Sequence, residues 1–389
     1  MTGLRSSYML VSQKDKRGEW PVFSIVAFCL LVVVPLLNMV PGEESFFHFS
    51  DFSINLLGKY LAFAILALGI DLIWGYTGIL SLGHGVFFGL GAYCMGMHLM
   101  LQIGDRSVYG SALPDFMVWN RVTELPLFWK PFSSFLFTSG AVIFVPMLVA
   151  AIFGFFAFRS RIRGVYFAII TQAFALSIWL LFNRNELNLG GTNGLTDFKT
   201  LLGFELGDPN TARGLYIVTV IALIGAYLFC RWLVRSRLGK VLVAIRDHEN
   251  RLRYSGYSPA AFKLMVFVIS AGLAGLAGAL YVPQVGIITP ARMGVLTSIE
   301  MVLWVAVGGR GALYGAVIGA VGVNWARSYL TTNFPDVWLF FLGGLFVAVV
   351  VLFPNGIVGL IQQAQHWIGK IFKSRSADAV AEHKERAAP

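Results

Sequence analysis

Unbroken apolar blocks, set apart by short polar stretches, organise this chain from residue 21 to residue 353. A bilayer crossing takes about 20 apolar residues. Blocks of that order run over Pro21–Val40, Phe52–Trp74, Gly85–Leu101, Phe135–Phe158, Val165–Phe182, Gly214–Val234, Lys263–Val282, Gly311–Leu330 and Val337–Phe353, with a shorter one at Val295–Val307. The pattern predicts an all-α polytopic membrane protein with about ten transmembrane helices. Glycines interrupt the blocks twice, in GYTGILSLGHGVFFGLGAY (Gly75–Tyr93) and in VGGRGALYGAVIGA (Val307–Ala320), so two broken helices are expected. Broken backbone survives at membrane depth only where protein buries it or water wets it, and a short, glycine-interrupted segment in each half points to a solute path. The alternative is close helix packing through Gly85/Gly89 and Gly311/Gly315/Gly319. SAGLAGLAGAL (Ser270–Leu280) reads as a packing face of small residues.

Composition agrees with the blocks: 57% hydrophobic residues against 13% charged excludes an ordinary soluble domain and a disordered chain. The net charge of +10 is a topology signal rather than a sign of nucleic-acid binding. Arg159–Gly164 holds three basic residues and no acid, and Arg231–Lys263 holds eight basic and two acidic, which places both in the cytosol. Pro41–Asp51 has three acids and no base, Gln102–Ser133 three of each, and Asn183–Arg213 four acids to three bases, which places them outside. Ten crossings then leave both tails, residues 1–20 and 354–389, in the cytosol around a transmembrane domain at 21–353. The first apolar block reads as an uncleaved anchor. Cys29, Cys94 and Cys230 lie in apolar blocks and read as packing residues.

The motif search is informative for what it excludes. The Gly-Lys pairs at Gly58, Gly239 and Gly369 are followed by Tyr60, Val241 and Ile371, so the chain has no GxxxxGK[ST] phosphate cradle. No HExxH, GxSxG or metal-spaced Cys/His cluster is present, and a membrane-embedded enzyme is disfavoured. No cofactor is expected in the chain. Within the blocks lie Lys59, Asp71, Glu300 and Arg327, each costly at the bilayer centre. Lys59 and Arg327 are long enough to reach the interface. Glu300 is short, and is either a path or gate residue or a helix-packing hydrogen bonder. His84 is either a satisfied buried histidine or a solute contact, and Tyr76, Thr77 and Ser81 are further polar candidates for a path. The basic segment 235–258 predicts a short amphipathic helix from Gly239, which either docks a partner or lies on anionic lipid.

Five motifs, GYTGILSLGHGVFFGLGAY, RIRGVYFAIITQAF (Arg161–Phe174), LGGTNGL (Leu189–Leu195), LGKVLVAIRDHE (Leu238–Glu249) and SIEMVLWVAVGGRGALYGAVIGA (Ser298–Ala320), resemble the permeases of branched-chain amino acid and urea (amide) ABC importers. NRNELNLGGTNGLTDF (Asn183–Phe198) is similar to the wording of the urea-type second permease. The resemblance implies a bacterial inner-membrane subunit working with a paralogous permease, two ATP-binding subunits and a periplasmic solute-binding protein, with ATP hydrolysed on the partners. It implies that Gly239, Ala244, Ile245, Arg246 and Glu249 couple the chain to an ATPase. Asp71 departs from the amide or apolar residue that the family more often carries there. A facilitative channel or secondary transporter for a small polar solute is the alternative of another class.

Overall fold

The computed structural model describes residues 19–39, 49–352 except 108, 112, 161 and 163, and 356–360. The expected tail at 1–20 falls outside them except for its last two residues, and so does most of 354–389. Two compact units divide the chain, Met1–Ile54 and Asn55–Pro389.

In the first unit, helix α1 (Trp20–Met39) is apolar on nearly every side, as expected of a lipid-facing anchor. Its turns widen over Cys29–Val33, where the Val34 N–H reaches back to the Cys29 carbonyl. Pro35, which has no N–H to give, follows directly, and the wide turn accommodates the missing bond. Asn38 then closes the chain on itself by donating to Phe49 O (2.7 Å) and Asp51 Oδ1 (2.9 Å). Cys29 is exposed, unlike Cys94 and Cys230, so the packing role expected of all three holds for two.

The second unit is built from helices with loops at both ends. They are α2 (Asp51–Thr77, from Asn55 onward), α3 (His84–Leu101), α4 (Phe135–Arg159), α5 (Val165–Phe182), α6 (Pro209–Arg235), α7 (Arg237–Tyr254), α8 (Pro259–Val285), α9 (Val295–Gly308), α10 (Leu313–Asn333) and α11 (Trp338–Leu352). The core is α8 packed on α3 and α4. Small residues set the distances: a Cβ on Gly91 would enter the Gly275 backbone, one on Gly278 the Phe88 carbonyl, and one on Gly275 the Val142 carbonyl. The segment Ser270–Leu280 is therefore a packing face, as its composition predicts. Aromatic side chains fill the remaining space, with Phe153 stacked on Phe174 at 4.5 Å and Phe158 on Phe167 at 5.0 Å. At the end of the bundle opposite α7, the two-residue strands Leu195–Thr196 and Ile287–Ile288 pair antiparallel, Leu195 against Ile288.

Among the described residues, seven helices are long and apolar enough to cross a membrane, or eight with one bent pair counted as a span, against the ten blocks read from the sequence. The difference lies in the last third. Val295–Gly308 and Leu313–Asn333 form a pair bent by 120°, and α11 has only 15 residues. Gly309 (φ 114°) and Gly311 (φ 79°) supply the turn, a backbone region that residues with a Cβ rarely enter. Past residue 353 the chain is still packed where it is described. Val358 is buried and packs against Gly315, and Gly356 lies against Gly309, so residues 356–360 belong to the folded unit rather than to a free tail.

Candidate functional site at the two helix breaks

Helix α2 ends where its glycines allow it. Gly78 adopts φ 73°, turns the chain out of the helix, and donates to Trp74 O (3.1 Å). The carbonyls of the last turn then lack helical partners. One of them, Gly75 O, accepts from Arg246 Nη1 at 2.8 Å, across from helix α7. A guanidinium there also meets the negative end of the helix dipole. One turn earlier, Asp71, fully buried, accepts the Gly311 N–H on Oδ1 at 2.6 Å. A Cβ on Gly75 would collide with the Gly311 backbone. The two glycine breaks therefore meet backbone to backbone, held by a carboxylate from α2 and clamped by an arginine from α7.

Segment 78–83 leaves α2 through bonds from Gly78 N to Trp74 O and from Ile79 N to Ile73 O, and hydroxyls from three other helices brace it and the flanking ends of α2 and α3. Thr171 Oγ1 on α5 accepts the Leu82 N–H (3.0 Å), and Ser298 Oγ on α9 accepts the Gly85 N–H (3.2 Å). Ser270 Oγ on α8 donates to Gly69 O (2.6 Å) and lies 2.7 Å from His84 Nε2. A hydroxyl has one proton, so His84 must carry its own on Nε2 and donate it. Broken backbone inside the bundle is thus made good by protein.

The path candidates from the sequence fare differently. Thr77, Ser81 and His84 are buried, with Thr77 Oγ1 donating to Ile73 O (2.5 Å) and Ser81 Oγ accepting from Gly83 N (3.5 Å). Tyr76 is half-buried. The Glu300 carboxylate is paired with Arg327 Nη1 at 2.5 Å, across the α9–α10 hairpin. Arg327, one-third exposed, pairs with Glu300 and lies over the Trp338 ring at 5.1 Å. Sequence reasoning missed Thr171, Ser270 and Ser298, single hydroxyls in apolar helices whose type alone carries no signal.

Helix α7 begins with Ser236 accepting the Leu238 N–H at its N-cap (3.2 Å). Gly239 is required because a Cβ would enter the Val234 carbonyl. Leu242 and Ile245 are buried within this chain, so the expectation that Ile245 presents itself to a partner is corrected: it anchors α7 to the bundle. Ala244 is half-buried, and Arg237, Lys240 and Asp247 are exposed. A kink at His248 (φ −150°, ψ 71°) turns the last residues, and there Glu249 binds Lys263 Nζ (2.8 Å) and Arg253 Nη2 (3.3 Å). A cavity of about 220 Å³ lies beneath the helix, between Gly78, Phe158, Phe167, Ile245 and Arg246.

Residues 52–350 match the family described as the branched-chain amino acid transport system / permease component. The chain belongs to that family. The permease is 27% identical over 334 residues to the high-affinity branched-chain amino acid transport system permease protein LivM of Salmonella typhimurium, covering 80% of this chain and 71% of that protein. It is 24% identical over 331 residues to the permease protein BraD of Pseudomonas aeruginosa, covering 80% and 96%. Against LivH of Salmonella typhimurium it is 25% identical over 336 residues, covering 82% and 97%. No solved structure matches the chain. The permease is a transport subunit and not an enzyme. Among the described residues no His/Cys/Asp/Glu group could hold a metal, and the junction ties two helix breaks to one helix outside the bundle core.

Proposed function

We propose that this chain is the membrane-spanning subunit of an ATP-driven importer, and that α7 transmits the state of a cytosolic ATPase to the two helix breaks. The observation that carries the reading is the bond from Arg246 to the Gly75 carbonyl. A displacement of α7 cannot leave that carbonyl, or the Asp71–Gly311 contact one turn away, undisturbed. The buried side of α7 fixes it to the bundle, and the exposed side with Arg237, Lys240 and Asp247 remains for an ATPase cleft. The 235–258 segment is cytosolic in this reading, because it gathers the basic residues. The chain has no phosphate cradle, so ATP is hydrolysed elsewhere. The partners are two ATP-binding subunits, a paralogous permease and a periplasmic solute-binding protein, in a bacterial inner membrane.

The imported solute is urea or a related small amide, on the wording of Asn183–Phe198. The second reading, a branched-chain amino acid, draws on the names of the relatives, all of which are transport permeases for that class. Cells deleted for this chain distinguish them: labelled urea uptake falls with labelled leucine unchanged under the first, and the reverse under the second. Co-isolation of nucleotide-binding subunits from native membranes tests the assembly, and its failure with uptake intact would favour a facilitative channel.

A further inference from the structure

We propose that the recess between the end of α4, the end of α7 and the start of α8 binds the phosphodiester headgroup of an anionic phospholipid. The recess has a volume of about 380 Å³, and Arg159, Glu249, Arg253, Tyr257, Ser258 and Lys263 line it. Among the described residues, three cations face one carboxylate. Glu249 engages Lys263 and Arg253, yet a carboxylate accepts only part of what an ammonium and a guanidinium donate. Arg159 makes no ion pair among the described residues. The recess therefore carries an excess of positive charge, and the Lys263 side chain, only 9% exposed, holds part of it away from bulk water. Ser258, at the N-cap of the 27-residue α8, makes no capping hydrogen bond, which leaves its hydroxyl for a ligand.

These groups would receive any phosphate oxyanion. What selects a lipid is the surroundings. The Arg159 guanidinium lies 5.7 Å from the centre of the Phe155 ring, and Phe155, Phe156 and Ile152 form an exposed apolar face of α4 that runs from the recess along a membrane span. A headgroup seated on Arg159 has its acyl chains beside that face. Tyr254 and Tyr257 are exposed where α7 ends, and aromatic residues of this kind collect at membrane–water boundaries. The inner-leaflet origin of the lipid rests on the cytosolic placement of 235–258, while headgroup binding itself does not depend on transport. The two therefore fail separately.

The test is native mass spectrometry of the detergent-purified importer complex, titrated with phosphatidylglycerol, with phosphatidylcholine of the same chains, and with inorganic phosphate. Phosphatidylglycerol is expected to be retained in preference to phosphatidylcholine, and phosphate alone to compete weakly. Each cation at a surface contributes about fivefold to anionic-lipid binding, so Arg159→Gln with Arg253→Gln should weaken retention about 25-fold. Arg251→Gln, an exposed charge outside the recess, should leave it unchanged. Should the double variant not assemble, Arg159→Gln alone is read for its fivefold loss. Equal retention of the two lipids, an unchanged double variant, or phosphate binding without lipid preference overturns the proposal. Loss of the ATP-binding subunits from the double variant, with lipid retention intact, overturns it in favour of a protein contact.

Discussion

At the residue scale, two polar pairs decide the behaviour of this bundle, and each is worth more for what its loss exposes than for its own strength. Leaving a buried carbonyl without a donor costs about 1–3 kcal/mol. Arg246→Ala removes the partner of Gly75 O, so uptake should fall at least about tenfold with the protein still inserted. Arg246→Lys should not restore it fully, because the shorter reach and single point charge of lysine replace a planar fork. Transport assays beside membrane protein levels check both, and wild-type uptake in Arg246→Ala would remove the transmission role. For Glu300 and Arg327, a double-mutant cycle on thermal stability should give a coupling of about 0.5–3 kcal/mol. Arg327 is one-third exposed, so the value belongs at the lower end of that range. A coupling near zero together with lost transport in Glu300→Gln would return Glu300 to the solute path.

At the scale of elements, helix α7 shows how far a one-dimensional pattern reaches. Ile245→Asp places a charge at a 4% exposed position, and should reduce the amount of folded permease rather than uncouple it. Lys240→Glu, on the exposed side, should leave the permease folded and reduce retention of the ATP-binding subunits. Protein level and co-isolation, measured on the two variants together, separate the sides; the opposite assignment would mean that α7 faces its partner with Leu242 and Ile245. The amphipathic helix itself was legible, because Val241, Leu242, Ala244 and Ile245 recur at helical spacing amid charges. Which neighbour takes its apolar side was not, since period fixes a face and not what covers it. The breaks at Gly75–Gly83 and Gly308–Gly311 were legible from glycine alone. Their meeting was not: it depends on an Asp71–Gly311 contact across 240 residues that no local pattern encodes. The 120° bend and the 15-residue α11 account for the difference between ten apolar blocks and seven or eight candidate spans, because apolar blocks do not report the direction of a helix or where it stops.

At the scale of the whole molecule, the hydrogen bonds constrain topology independently of loop charge. Arg246 reaches Gly75, and Gly75 touches Gly311, so the α7 segment, the α2 end and the α9–α10 bend share one end of the bundle. Loop charge alone assigns α7 to the cytosol, and says nothing useful of Gly309–Ala312, which carries a single arginine. Combining the two gives a sharper expectation than either. Cysteine placed at Lys240 and at Arg310, both exposed, should react with a membrane-impermeant maleimide only after the membrane is opened. Cysteine at Asp197, whose side chain is 61% exposed in the opposite loop, should react in intact spheroplasts. Native Cys29 is exposed and must first be replaced, whereas Cys94 and Cys230 are buried and can stay. Labelling of Arg310 from outside while Lys240 stays protected would separate the two breaks by a bilayer. The Asp71–Gly311 bond could not then exist in the membrane, and transmission from α7 would have to reach the α2 break alone.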